Sequence, residues 1–218
     1  KFRVSEEKIC LVRNGVDLKQ YVPIPIELRK KNRQRLGFED EFVIGLVARL
    51  SSVKGQDVLL QSLKLIKQKA PKAKVLLSGE GREEASLRRL VNELGLENDV
   101  CFSKTPPSVY DELAACDIFV MPSREEGLGL SIAEAQASGL AVIGSRVGGI
   151  PSLIQHEKTG LLVDKENPQQ LADAIIRLIN NTQLRIQLEQ AGRIHVEKNF
   201  DVNTMVEETI ACYEAVKL

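Results

Sequence analysis

The sequence predicts an α/β protein: a doubly wound parallel sheet with helices on both faces. Three observations predict it. Short apolar runs recur along the chain and are continuous rather than alternating, as in strands covered on both faces. Between them, apolar residues return at i, i+3, i+4 and i+7, the period of an amphipathic helix. Glycine turns close several of the strands. Strand alternating with helix gives right-handed βαβ units and therefore a parallel sheet.

Taken in order, residues 1–25 read as a linker segment. Lys8-Ile9-Cys10-Leu11-Val12-Arg13 has strand character, Asn14-Gly15 is a turn signal, and Pro23 and Pro25 bracket an extended piece. Residues 26–36 read as a short helix ending at Gly37, and its cluster Arg29-Lys30-Lys31-Asn32-Arg33-Gln34-Arg35 as a solvated charged face. Residues 42–48 form the first continuous apolar run. A helix over 55–69 follows, with Val58, Leu59, Leu63 and Ile66 on one side and lysines on the other. Strand 73–78 leads through Gly79-Glu80-Gly81 to a helix marked by Leu87, Leu90, Val91 and Leu94, which Gly95 stops. Then come strand 99–102, helix 108–115, strand 117–121, helix 128–138 and strand 141–145. Gly148-Gly149-Ile150-Pro151 opens a short helix, and 161–163 is a last brief strand. Leu171, Ala174, Ile175, Leu178 and Ile179 stripe a helix that starts at Asn167-Pro168. Helices over 182–198 and 201–217 finish the chain.

Composition narrows the function classes. The 218 residues make one large domain or two small ones, enough to bury a real core. Thirty basic and thirty acidic residues cancel, so no global charge argues for nucleic acid. No apolar run approaches the roughly 20 residues of a membrane span, and no signal-peptide pattern opens the sequence. Cys10, Cys101, Cys116 and Cys212 lie far apart with no CxxC spacing, which argues against metal ligation or a disulfide framework. Cys10 and Cys101 read as small buried hydrophobes, and a reducing, cytoplasmic setting fits. His156 and His195 have no partner for a nucleophilic triad, and no Asp-x-Asp pair is present to hold Mg²⁺ on a diphosphate.

A doubly wound sheet binds ligands at the C-terminal edge of its strands, which directs attention to the loops after residues 48, 78, 102, 121 and 145. The first carries Arg49 and Lys54, two cations five residues apart. An Arg fork and a compact Lys suit phosphate, although surface cations flanking a loop would look the same. In the second, Gly79 lets backbone approach a ligand; without a third glycine it is no dinucleotide fingerprint. The third, Ser103-Lys104-Thr105-Pro106-Pro107, is a rigid turn with one polar edge, suited to a base or ribose or serving as a plain connection. The fourth is Pro122-Ser123-Arg124-Glu125-Glu126-Gly127-Leu128-Gly129-Leu130-Ser131, a glycine turn into a helix start and so a place for anions. Glu126 and Glu134 are out of place as phosphate ligands. They read as acceptors for ligand hydroxyls, or as partners of a core arginine. Ser131, Glu134 and Ser138 share a helix face, while Ala133, Ala135 and Ala137 allow close packing. The fifth loop, Arg146-Val147-Gly148-Gly149, permits close ligand approach or is only a turn.

Together these loops resemble the C-terminal domain of a GT-B glycosyltransferase of the large retaining family four, a Rossmann-like doubly wound fold. The resemblance covers nearly the whole chain. It rests on Asn14-Gly15-Val16-Asp17, Arg49-x4-Lys54-Gly55, Gly79-Glu80-Gly81, Pro122-Ser123-x-x-Glu126-Gly127-Leu128-Gly129-Leu130, Glu126-x7-Glu134-Ala135, Gly148-Gly149 and Thr159-Gly160-Leu161-Leu162-Val163. It implies that Arg49 and Lys54 bind the diphosphate of a nucleotide-sugar donor, aided by the amides near Leu130 and Ser131 at the helix N-terminus, with Gly127 and Gly129 in the same donor-binding loop. It further implies that Glu126 holds donor-sugar hydroxyls, Glu134 holds the ribose, and Gly79, Ser103 and Lys104 line the nucleoside side. On this pattern Arg49, Lys54 and Glu126 are the catalytic group, with neither cofactor nor metal. Four positions depart from the pattern: Leu128 replaces an aromatic, Ser103 a glycine and Ser152 a glutamate, and Gly139-Leu140-Ala141 lacks a usual proline.

The resemblance also implies a linker at 1–25, a nucleotide-sugar domain at 26–200 and a crossover helix at 201–218. The acceptor domain is expected to precede Lys1, so the chain by itself is expected to bind a donor without transferring it. The acceptor would be a glycan or a lipid-linked group, in cell-surface polysaccharide or lipopolysaccharide synthesis. The setting would be cytoplasmic, with room for peripheral membrane association of the full-length enzyme. Two other readings stand beside this one: a non-catalytic interaction module of the same fold, and a GT-B sugar-nucleotide epimerase, whose acid–base residues are not found.

Overall fold

The structure, a computed structural model, describes residues 9–104 and 108–216. Lys8, the Thr105-Pro106-Pro107 part of the third loop and the last position of the predicted final helix lie outside them. Six parallel strands form one open sheet: β1 (Phe42–Val47), β2 (Ala73–Ser78), β3 (Val100–Ser103), β4 (Ile118–Met121), β5 (Ala141–Ser145) and β6 (Leu161–Val163). Their spatial order is β3-β2-β1-β4-β5-β6, so the order reverses between β1 and β4. The helices are α1 (Ile26–Leu36), α2 (Gln56–Ile66), α3 (Glu84–Leu94), α4 (Val109–Ala115), α5 (Leu130–Ala137), α6 (Ile150–Leu153), α7 (Pro168–Asn180), α8 (Thr182–Asn199) and α9 (Val202–Val216).

The continuous apolar runs have a direct explanation. In β1, Ile44 and Leu46 enter one core with α2, α3 and α7, while Val43 and Val47 enter a second core with α4, α5 and α6. A strand's period of two feeds both faces, so every position must be apolar. Helix α8 joins the two layers, with Leu188 in the first core and Val196 in the second. Where one strand residue lacks a side chain the neighbour fills in: a Cβ on Gly45 would lie 2.3 Å from Cys116 Sγ.

Three expectations are corrected here. First, residues 9–13 form no strand. Asn14-Gly15 is no turn either; the turn lies at 18–20, where Asp17 Oδ1 accepts from Lys19 N–H (2.8 Å). Gly15 is needed because a Cβ there would sit 2.4 Å from the Val202 backbone. Val16 pairs alongside, its N–H donating to Phe200 O (2.7 Å) and its carbonyl accepting from Val202 N–H (3.1 Å). The opening segment is thus pinned to the turn between α8 and α9. Second, Cys10 is exposed rather than buried, and it is disulfide-bonded to Cys212 of α9. Residues 202 apart in sequence give no local sign of such a pairing. Cys101 and Cys116 remain free, and burial raises both thiols above the usual cysteine range. Third, the basic cluster of α1 is not simply a solvated face. Arg29 and Arg33 converge on Asp117, and Arg35 donates to the fully buried Glu112 (2.6 Å).

Helix ends also shift slightly. Ser52–Lys54 forms a separate 3-10 turn, and Gly55 at φ 71° divides it from α2, which ends at Ile66. Gly129 at φ 91° starts α5, so Leu128 is not helical. Among the described residues no helix is long and apolar enough to cross a membrane.

Candidate functional site

The five loops at the C-terminal edge are laced into one rim. Ala48 N–H donates to Ser78 O (2.9 Å), Leu50 N–H to Glu80 O (2.9 Å) and Gly79 N–H to Ser103 O (3.1 Å). Across the switch point, Arg124 N–H donates to Val53 O (2.8 Å), and Gly149 N–H reaches Glu126 O (3.3 Å). The predicted residues therefore sit on a common scaffold of backbone hydrogen bonds, at the crevice where a doubly wound sheet takes its ligands.

Arg49 is exposed at the end of β1 and lines a cleft of about 360 Å³ with Ser78, Gly79, Glu80, Val109 and Ser131. This cleft unites three predicted residues, Arg49, Gly79 and Ser131. No side chain caps the start of α5; Ile132 N–H donates to Gly129 O (2.8 Å), which leaves the N–H groups of Leu130 and Ser131 for an anion. Ser78 was not anticipated: its buried hydroxyl has no partner among the described residues.

Lys54 and Glu126 are brought together directly, with Nζ 2.5 Å from Oε2 and side chains 18% and 12% exposed. Ser123 Oγ donates to the same oxygen (3.3 Å). Glu126 thus has a partner within the chain, a loop lysine rather than a core arginine. Glu126 also lines a second cleft of about 530 Å³, beside Arg146, Val147 and Gly148. Gly127 and Leu128 continue the loop, Gly127 exposed and Leu128 packed against the second core.

The nucleoside side is less well assembled. Ser103 Oγ donates to Glu112 Oε1 (3.1 Å), so its proton is held by a buried carboxylate. Lys104 is exposed beyond it. The Glu134 carboxyl lies near the Tyr21 hydroxyl of the opening segment. Burial raises the Glu134 carboxyl above its usual range, while the nearby Tyr21 hydroxyl lowers it. Tyr21 is itself held edge-on by Tyr110, with ring centroids 6.1 Å apart, and its carbonyl accepts from Arg193 (2.7 Å). Its sequence neighbourhood gives no hint of this, since the contact spans the whole fold.

A pH-dependent effect follows. The raised carboxyl means that ionised Glu134 is disfavoured in the folded state. Its contribution to stability is therefore fully present below the unfolded glutamate pKa and falls as pH rises through that value to the raised one. Tyr21→Phe removes the hydroxyl that favours the ionised form. It is expected to cost about 1 kcal/mol at pH 7.5 and clearly less at pH 4, read by urea unfolding at both pH values. An equal cost at both would show that Tyr21 acts only by packing.

The fifth loop serves the chain itself. A Cβ on Gly148 would lie 1.7 Å from Glu126 O, and one on Gly149 would lie 2.2 Å from Gly127 O. The glycine pair lets this loop pack against the backbone of the Glu126 loop, and Gly148 also borders the second cleft. Among the described residues no three His, Cys, Asp or Glu side chains gather as a metal-holding group.

An open parallel sheet whose loops gather at the switch point defines a doubly wound α/β domain. Residues 29–195 match the family pattern described as "Glycosyl transferases group 1", and the chain belongs to that family. It is 35% identical over 202 residues to a GDP-mannose-dependent monoacylated alpha-(1-6)-phosphatidylinositol monomannoside mannosyltransferase of Corynebacterium glutamicum, covering 89% of this chain and 53% of that protein. It is 34% identical over 231 residues to a D-inositol 3-phosphate glycosyltransferase of Jonesia denitrificans, covering 100% of this chain and 54% of that one. The chain thus spans about half the length of these relatives. Among solved structures, Anabaena Alr3699/HepE in complex with UDP superposes with a TM-score of 0.88 at 30% identity, covering 94% of this chain and 57% of that one. The C-terminal domain of a glycosyl transferase group 1 family protein (LpcC) from Francisella tularensis superposes with a TM-score of 0.77 at 28% identity, covering 86% of this chain and all of that one (100%). The fold is that of GT-B glycosyltransferase structures.

Proposed function

We propose that this chain is the donor-binding half of a retaining, metal-independent glycosyltransferase that moves a hexose from a nucleoside-diphosphate sugar to a glycan or lipid acceptor. The observation that carries the reading is the meeting of Arg49 with the uncapped start of α5 in one cleft at the sheet's switch point. In glycosyl transfer the bond from the sugar C1 to the diphosphate oxygen breaks, a bond from C1 to an acceptor oxygen forms, and the acceptor hydroxyl loses its proton. Negative charge grows on the departing diphosphate. Fixed cations and amides stabilise that charge more strongly in the transition state than in the ground state. Arg49 can fork two phosphate oxygens, and Lys54 has three donors. Lys54 can therefore keep Glu126 and still reach a phosphate, while the other Glu126 oxygen accepts from a sugar hydroxyl. The acceptor hydroxyl would belong to a glycan or lipid-linked group bound outside this donor cleft.

Calorimetry with UDP, GDP and their hexose conjugates tests the reading. At least one nucleotide is expected to bind. Arg49→Ala is expected to weaken nucleotide and nucleotide sugar alike by about tenfold, the loss of one charge-assisted pair. Glu126→Ala is expected to weaken the nucleotide sugar by a similar factor and the bare nucleotide by clearly less, the remaining loss reflecting Lys54 without its partner. No binding by the wild type, or unchanged binding by Arg49→Ala, would sink the phosphate role.

A further inference from the structure

Lys54 and Glu126 stand on loops from different strands, 72 residues apart in sequence. Something must hold the two loops at the spacing that lets a Lys Nζ meet a carboxylate. Arg124 occupies the position to do so. Its backbone N–H donates to Val53 O (2.8 Å), one residue before Lys54. Its Nη1 donates to Ser52 O (2.6 Å), so backbone and side chain grip the same 3-10 turn. The guanidinium also forks Asp57 in the first turn of α2, Nη1 to Oδ1 at 2.9 Å and Nη2 to Oδ2 at 2.7 Å. The Nε donates to Glu166 Oε1 (3.0 Å). All three nitrogens are committed and two carboxylates offset the charge, so Arg124 is poorly placed to serve as a phosphate ligand despite lying two residues before Glu126.

We propose that Arg124 is a positioning residue that fixes Lys54 against Glu126, and that its effect on the donor diphosphate passes through Lys54. This rests on the donor-binding reading above. A planar fork spreads five N–H donors over three nitrogens and so spans a carbonyl and two carboxylates at separate positions; a lysine's three donors share one nitrogen and do not span them in the same way. Arg124→Lys keeps the charge and much of the volume but loses the bridge. The turn carrying Lys54 then loses its main side-chain restraint.

The test is a double-mutant cycle on this chain, read by calorimetry with UDP or GDP, whichever the wild type binds. Arg124→Lys is expected to weaken the nucleotide about fivefold to tenfold with Lys54 present, and by less than about twofold in the Lys54→Ala background, because contacting groups couple. A purely structural role would weaken binding by the same factor in both backgrounds, and that result would overturn the proposal. So would wild-type affinity in Arg124→Lys. Asp57→Asn, which loosens the same bridge from its other end, is expected to show the same dependence on Lys54. It stands in if Arg124→Lys fails to fold. Silence of the wild type towards every nucleotide would instead refute the donor-binding reading itself.

Discussion

Gly148→Ala is expected to cost on the order of 3 kcal/mol and to disconnect Glu126 from Lys54. Gly148 has φ +50°, a conformation that costs an L side chain roughly 1–2 kcal/mol. The added methyl would also stand 1.7 Å from Glu126 O and 2.8 Å from Glu126 C. Those are backbone atoms, so no rotamer change relieves the clash and the loop after β4 must move. That loop places a carboxylate that now meets Nζ at 2.5 Å. Urea unfolding should report the stability loss, and calorimetry a weaker sugar nucleotide. Gly127→Ala is the control. Nothing lies within 4 Å of a Cβ there, so its stability should stay within about 0.5 kcal/mol of the wild type. Equal stability of the two variants would contradict the close packing of the Glu126 and Gly148 loops.

Asp117→Ala is expected to destabilise the fold by about 3 kcal/mol without touching the site. Asp117 Oδ2 accepts from Arg33 Nη2 (2.8 Å) and from Val43 N–H (2.8 Å), and Oδ1 accepts from Arg29 Nη1 (3.3 Å). Val43 is fully buried, so its N–H would lose its partner, at a cost of about 1–3 kcal/mol. Two partly buried guanidiniums would lose their counter-charge, keeping only the carbonyls of Ala115, Cys116 and Glu41. Asp117→Asn, which keeps the shape without the charge, should lose roughly half as much. Denaturant midpoints measure both. Wild-type stability in both variants would remove Asp117 as the joint between α1 and the sheet.

The strands and helices were legible because local chemistry dictates them. Residues 73–78, 141–145 and 161–163 place apolar residues on both faces, Lys74 and the closing serines apart, and occur as the predicted strands. Gly37 and Gly95 adopt the left-handed conformation that ends a helix, at φ 74° and 68°. What proved illegible was long-range. Tyr21 meets Glu134, Asp117 gathers two arginines of α1, Arg124 bridges Asp57 and Glu166, and Cys10 joins Cys212. Each pair is far apart in sequence, and either residue alone reads as an ordinary polar side chain or thiol.

The sequence by itself determined the alternation of strand and helix, the loops that lie at the C-terminal edge of the strands, and the residue types those loops carry, because periodicity and turn chemistry act over a few residues. Only the tertiary structure decided which loops meet. The strand order places β1 beside β4, so the loops bearing Lys54 and Glu126 become neighbours across the switch point. A sheet's strand order is settled by which faces pack best over the whole chain, and no local segment records it. The Gly148-Gly149 pair shows the same division: its composition promised a close approach, and the fold assigned that approach to the backbone of Glu126 and Gly127.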